Sequence, residues 1–280
     1  MTNQQKTFPV PAGILEISGD DARTFLHAQF TTDVNALAEG QAQFSAWCNP
    51  KGRVISTFYL LNIGASYFLL LPPELKDTFY KRLKMYVLRS NVVITDRSND
   101  MSCFCTTDAI NIKHVFSFQL PGDKKHHILF GEQSTLQSLY VESPDSTHWQ
   151  LHTILSGIPW LNSKNTEEYL PQELNLEQLN ALSLKKGCFP GQEIVARVHY
   201  RGQVKRGMKQ ATLAVGQEVE TGMKLYAHGQ ERAIGTILNS CEHPDNCIVM
   251  LIVVENDYLN ADKLFLDSDL NYDTELQIKN

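Results

Sequence analysis

No apolar run in this chain is long enough to cross a bilayer. The longest, Tyr67–Leu71 and Ile248–Val254, have the length of buried strands. The first seven residues are polar, so no secretory h-region is expected there. No Cys-x-x-Cys occurs among the six cysteines at 48, 103, 105, 188, 241 and 247, and no Cys/His pair has zinc-ligand spacing. Most of these cysteines are therefore expected to be small buried hydrophobes in a reducing, cytoplasmic setting. A metal or cluster site built from Cys103, Cys105, Cys241 and Cys247 stays open. Internal repeats and low-complexity segments are also missing. Net positive charge is lacking: the formal charge is −6. That argues against a general nucleic-acid binder, and nucleic acid is expected only through a partner protein.

What remains is a chain of 280 residues, 42% hydrophobic, long enough for two or three domains with a sizeable core. The patterning suggests α+β. Strands are expected at 14–17, 41–48, 53–62, 67–71 and 91–95, and a helix follows Asp20-Asp21. A second helix opens at Pro73-Glu74 with Leu75, Phe79, Leu83, Tyr86 and Val87 inward. Asn49-Pro50-Lys51-Gly52 has turn chemistry, with Pro fixing φ and Gly free to take positive φ. A second lobe has strands at 102–106, 115–120 and 127–130. Its helices lie at 132–141 and 148–156, the latter capped by Gly157. After Met208 only short strands appear, separated by Gly and Asn/Asp/Pro clusters, which suggests a small barrel or sandwich. The units are then 1–98, 99–207 and 208–280.

The richest segment is Lys185-Lys186-Gly187-Cys188-Phe189-Pro190-Gly191-Gln192-Glu193. It sets a thiol beside two ammonium groups at what reads as a helix start, where Pro190 suits the first turn and Glu193 the positive end of the dipole. A thiol in such a field is expected to ionise more readily. Whether Cys188 reacts or merely packs stays open on these residues alone. If the helix is unbroken, His199 lies roughly 15 Å further along its axis, too far for a Cys–His couple. Gln192, Glu193, Arg197 and Tyr200 form a second group; Glu193 and Arg197 are one turn apart and either pair with each other or face a pocket. Between Lys185 and Lys209 seven cations meet one acid, Glu193. Such a run suits an anionic ligand or a solvated face. Trp47, Trp149 and Trp160 are candidates to stack a flat ligand, though tryptophans are more often core.

Lys185–Glu193, continued by Ile194-Val195-Ala196-Arg197-Val198-His199-Tyr200-Arg201-Gly202, resembles the signature of the YgfZ-type folate-binding proteins, relatives of the glycine-cleavage aminomethyltransferase (T-protein). Supporting matches are Thr31-Thr32-Asp33-Val34, Trp47 to Arg53, Leu88-Arg89-Ser90 and Gly157-Ile158-Pro159, and the likeness spans roughly residues 12 to 207. The resemblance implies two ferredoxin-like lobes with mostly antiparallel sheets and a C-terminal β-barrel, binding tetrahydrofolate. It implies an accessory role toward iron–sulfur enzymes or their assembly factors, including enzymes that modify tRNA, with no membrane contact. Whether any reaction is catalysed is left open; a folate-dependent aminomethyltransferase is the alternative. Cys188 and Lys186 correspond to the signature cysteine and lysine. Trp149 falls where the family's folate-contacting aromatic precedes Gly-x-Pro. A second folate-contacting tryptophan of some relatives falls at about Ala12. Folate contacts are further expected from Gln192, Glu193, Arg197, Tyr200 and Arg201.

Overall fold

The structure, a computed structural model, describes residues 7–107, 112–120, 125–139, 147–214, 216–261, 263–266 and 275–279. The first unit is an antiparallel sheet in the order β3-β4-β5-β2-β6. Its strands are β2 (Gly13–Ser18), β3 (Ala42–Cys48), β4 (Val54–Ile63), β5 (Ser66–Leu71) and β6 (Val93–Asp96), and it carries α1 (Ala22–Gln29) and α2 (Lys76–Lys84). Alternation along β4 serves both faces. Phe58 and Leu60 pack under α1 and α2 with Phe30, Trp47, Phe79 and Leu83. Tyr59 and Leu61 face the rest of the molecule.

The second unit is a four-stranded antiparallel sheet, β1-β7-β9-β8. It comprises β1 (Phe8–Pro9), β7 (Met101–Thr106), β8 (Val115–Gln119) and β9 (His127–Glu132), with α3 (Gln133–Leu139) and α4 (Thr147–Leu155). Helix α4 ends as the sequence suggests. Gly157 takes φ +65°, while the amides of Gly157 and Ile158 return to the carbonyls of Ile154 and Thr153, the two bonds of a Schellman cap.

The third unit is a six-stranded sheet, β11-β12-β13-β10-β15-β14. Its strands are β10 (Arg206–Ala214), β11 (Lys224–Leu225), β12 (Gly235–His243), β13 (Cys247–Glu255), β14 (Lys263–Phe265) and β15 (Glu275–Lys279). A bridge between Tyr226 and Phe265 links its two edges and nearly closes a barrel. The α+β class with antiparallel sheets and a barrel-like C-terminal unit is thus present.

Residues 159–191, expected in the second unit, return along the first. Tyr169 O accepts from Val54 N, Glu167 N donates to Val54 O, and Ser183 N donates to Thr31 O. One core then spans all three units. Tyr59 and Phe68 from the first sheet, Cys103, Cys105 and Phe130 from the second, and Leu238, Cys241, Val249, Leu251 and Val253 from the third share it with Trp149 and Tyr169. Strand β13 is buried on both faces because its other residues, Ile248, Met250, Ile252 and Val254, fill the barrel interior.

Glu173 ties the first unit to the third. It is buried and accepts from Arg53 Nη1 at 3.1 Å, Arg206 Nε at 2.9 Å and the amide of Leu170 at 2.8 Å. Truncating it leaves two cations without their shared counter-charge. Because both guanidinium groups are about a third exposed, water offsets part of the loss. We expect Glu173→Ala to cost about 2–3 kcal/mol in urea unfolding.

Candidate functional site

The segment around Cys188 is held by two close backbone contacts and one buried cation. Helix α5 (Gln192–Arg201) begins after Gly191, whose φ is +78°. Pro190 therefore stands outside the first turn, where the sequence had placed it. A Cβ on Gly191 would lie 2.5 Å from Asn49 O and from Gly52 N and Cα, so the two glycine-containing motifs meet backbone to backbone.

Lys186 is only 9% exposed. Its ammonium donates to the carbonyl of His27 and, at 2.8 Å, to that of Phe30. These lie at the C-terminal end of α1, where carbonyls lack helical partners and the dipole favours a cation. The ammonium also sits 5.0 Å from the centre of the Phe189 ring. Burial pulls its pKa down to about 8, against opposing pulls from Asp33 and Cys188. Lys186 thus caps a helix, and that engagement anchors the loop on which Cys188 is exposed.

Sequence reasoning missed His27 at this place. Its Nδ1 lies 3.3 Å from Asp33 Oδ1 without forming a hydrogen bond. Its Nε2 would be 3.5 Å from a Cβ on Gly187. Desolvation first, then Lys186, lowers its pKa, with Asp33 opposing. The nearest sequence signal was the helical spacing that put a histidine in the last turn of α1.

Along α5, Val195 is buried and Gln192 half-buried, while Glu193, Arg197, Tyr200 and Arg201 are exposed. Glu193 and Arg197 do not pair among the described residues. His199 Nδ1 instead contacts Glu177 Oε1 at 2.7 Å.

Trp149 stands elsewhere. It is 0% exposed, stacked on His152 and edge-on to Tyr59 and Trp160, with ring centres 5.6–6.2 Å apart. With Trp160 it lines a cavity of about 330 Å³ where the three units meet. The walls come from Pro11, Pro72-Pro73-Glu74, α4, Trp160-Leu161-Asn162, Thr221, and Asn239-Ser240 of β12. The volume lies at the small end of the range for small-molecule sites. Two buried polar atoms on its lining side chains, Trp149 Nε1 and Asn239 Oδ1, have no hydrogen-bond partner in the protein. The Asn239 amide nitrogen is engaged, donating to Trp160 O at 2.8 Å. A register shift in β12 falls between Ile237 and Asn239, and bulges of this kind re-aim side chains beside sites.

The resemblance implied folate contacts both at Trp149 and along the helix that follows Cys188. The fold separates them. Trp149 packs on the Tyr59 face of the first sheet, while Phe30, whose carbonyl Lys186 holds, packs against Phe58 on the opposite face, 4.6 Å between ring centres. None of Lys186, Cys188, Gln192, Glu193, Arg197, Tyr200 or Arg201 lines the junction cavity. The reason is the docking just described, which commits residues 186–191 to α1 and to the turn at 49–53. Cys103, Cys105 and Cys241 lie in the shared core. Burial raises the Cys103 thiol far above its usual range, with Cys105 adding to it. Among the described residues no group of three or more His, Cys, Asp or Glu is arranged to hold a metal ion, and no helix is long and apolar enough to cross a membrane.

Compared with known protein families, the chain matches no family model. Its relatives are nonetheless clear. It is 30% identical over 276 residues to the tRNA-modifying protein YgfZ of Photobacterium profundum, covering 88% of this chain and 82% of that one. It is 30% identical over 258 residues to the protein of the same name from Vibrio atlanticus, covering 85% and 80%. It is also 31% identical over 248 residues to an uncharacterised protein of Haemophilus influenzae, covering 87% and 86%. Among solved structures, the aminomethyltransferase T of the glycine cleavage system from Bartonella henselae superposes with a TM-score of 0.74 at 11% identity, over 98% of this chain and 84% of that one. The architecture is therefore that of the aminomethyltransferases, and by sequence the chain belongs to the YgfZ family.

Proposed function

We propose that this protein binds tetrahydrofolate in the junction cavity and acts as a cytoplasmic accessory factor that supports iron–sulfur enzymes, those that modify tRNA among them. The observation that carries the folate reading is the pair of unspent buried groups in an aromatic-walled cavity: a donor, Trp149 Nε1, and an acceptor, Asn239 Oδ1. A pterin edge presents N–H donors beside acceptors and has a flat face for aromatic walls. Leaving buried groups unpaired costs about 1–3 kcal/mol each, which a ligand of that pattern would recover. The Trp149 ring is packed by His152 and its N–H is buried in the wall, so a ligand would reach that donor once the lining side chains shift. Where some relatives have a second folate-contacting tryptophan this chain has Ala12, which packs against the core; neighbouring Pro11 and the distant Trp160 line the cavity instead. Cys188 supports the accessory role as the one exposed thiol among the six cysteines, able to meet a partner's cluster or a disulfide.

Titration with tetrahydrofolate, followed by tryptophan fluorescence, tests the reading. Two of the three tryptophans line the cavity, so saturable quenching is expected. Asn239→Leu is expected to weaken binding about tenfold, the loss of roughly one buried hydrogen bond. No saturable change at millimolar ligand would sink it. The likeness to aminomethyltransferase T supports a second reading, one-carbon transfer. Formation of methylenetetrahydrofolate from an aminomethyl-lipoyl carrier would favour that one.

A further inference from the structure

We propose that the solvent face of α5 and the cleft beside it bind an unpaired segment of RNA. Several cations in the described structure are tied to carboxylates: Arg53 and Arg206 to Glu173, Lys76 to Asp96, Arg82 to Glu167, Arg97 to Glu16, Arg232 to Glu255. Four around α5 are not. Lys51, Lys185, Arg197 and Arg201 are exposed, and among the described residues none of them has an acidic partner. A protein of net charge −6 thus keeps a local set of uncompensated cations, at the surface that also displays Cys188.

The arrangement favours a nucleic acid over an acidic protein. Arg197 and Arg201 are one turn apart, about 6 Å along the axis, with Tyr200 beside them. Tyr200 is 67% exposed, with its ring perpendicular to that of His199 and 4.7 Å between centres. An exposed aromatic flanked by arginines is the usual platform for a single-stranded base. Tyr200 and Lys185 also form the lip of a cleft of about 570 Å³, whose other walls include Gln43, Asn180, Ser183, Asp33 and Glu177. These supply amide, hydroxyl and carboxylate groups suited to a base edge and to the 2′-hydroxyl that distinguishes RNA from DNA. The two carboxylates repel phosphate, so the backbone follows the cations outside the cleft. One nucleoside would enter the cleft while its neighbours stack on Tyr200 and track the cations.

The choice of RNA rests on the proposed role in tRNA modification, but the surface is separate from the junction cavity, so the two fail separately. The experiment is fluorescence anisotropy with a labelled single-stranded RNA of about 12 nucleotides in ~50 mM salt. Binding is expected to weaken with a log–log salt slope of about −2 to −3, as for three or four phosphates on a single strand. Arg197→Glu with Arg201→Glu should lower affinity tenfold or more. Tyr200→Ala should lower it about tenfold while leaving the salt slope unchanged. Tetrahydrofolate quenching should persist in both variants. Absent binding, indifference to all these substitutions, or equal competition by polyglutamate of the same charge would overturn the proposal.

Discussion

Lys186→Met should lower the stability of the protein by about 2–4 kcal/mol and free the loop that carries Cys188. Methionine keeps most of the apolar stem but donates nothing. The carbonyls of His27 and Phe30, which the ammonium now holds, are then left at a buried helix end at roughly 1–3 kcal/mol each. Favourable contact of the cation with the helix dipole and the Phe189 ring goes too. Urea unfolding reads the first effect, and faster alkylation of Cys188 by iodoacetamide reads the second. Stability with pH gives an independent signature. Folding lowers the Lys186 pKa from its ordinary 10.5 to about 8. Between those values the unfolded chain binds more protons than the folded one, so the Lys186 contribution to stability rises with pH across that window. Below about pH 8 both states are protonated, and the desolvation cost of the buried ammonium is borne in full. The methionine variant should lose that slope.

Gly191→Ala is the second large effect. The position needs φ of +78°, which costs an alanine about 1–2 kcal/mol. Its Cβ would also meet three backbone atoms of the facing turn at 2.5 Å. No side chain can rotate away, so α5 and the turn at 49–53 must part. That turn holds Glu167 through Asn49 at 2.6 Å and Glu173 through Arg53 at 3.1 Å. The total is expected to reach at least about 3 kcal/mol. Gly40→Ala is the control. Gly40 has φ +74° with nothing near its Cβ position, so it should show the conformational cost alone, and thermal unfolding should separate the two variants by several degrees.

Much of the architecture is legible from local pattern. The apolar runs that became β5 and β13, the Asn-Pro-Lys-Gly turn and the glycine cap of α4 each follow from residue chemistry next to them. The end of α2 does not. Helical spacing placed Tyr86 inward, but after Lys84 the amides of Met85, Tyr86 and Val87 reach back three residues to Arg82, Leu83 and Lys84. That tightening rotates the phase. Tyr86 emerges partly exposed, and Leu88 stands 87% exposed at φ +47°. Strand β15 was missed because its alternation, with Leu276 buried between polar neighbours, is short and follows an acidic stretch.

The candidate sites divide the same way. Lys186, Cys188 and the residues of α5 are contiguous, so a motif reveals them. The junction cavity draws its walls from six stretches separated by up to about 230 residues, and its unpaired acceptor sits on the barrel strand β12, where nothing in the local sequence marks Asn239. Residue chemistry offered Trp149 only as one of three tryptophans, and the family resemblance singled it out. Even so, its separation from Cys188 depends on which face of the first sheet each contacts, a property of the assembled fold.

A crystal structure with tetrahydrofolate bound is the most direct measurement. The pterin should lie at the meeting point of the three units, against Trp160, with Asn239 Oδ1 accepting one of its N–H groups and Trp149 Nε1 donating to it. Density for the pterin beside Cys188 and α5, with the junction cavity filled only by solvent, would contradict the account.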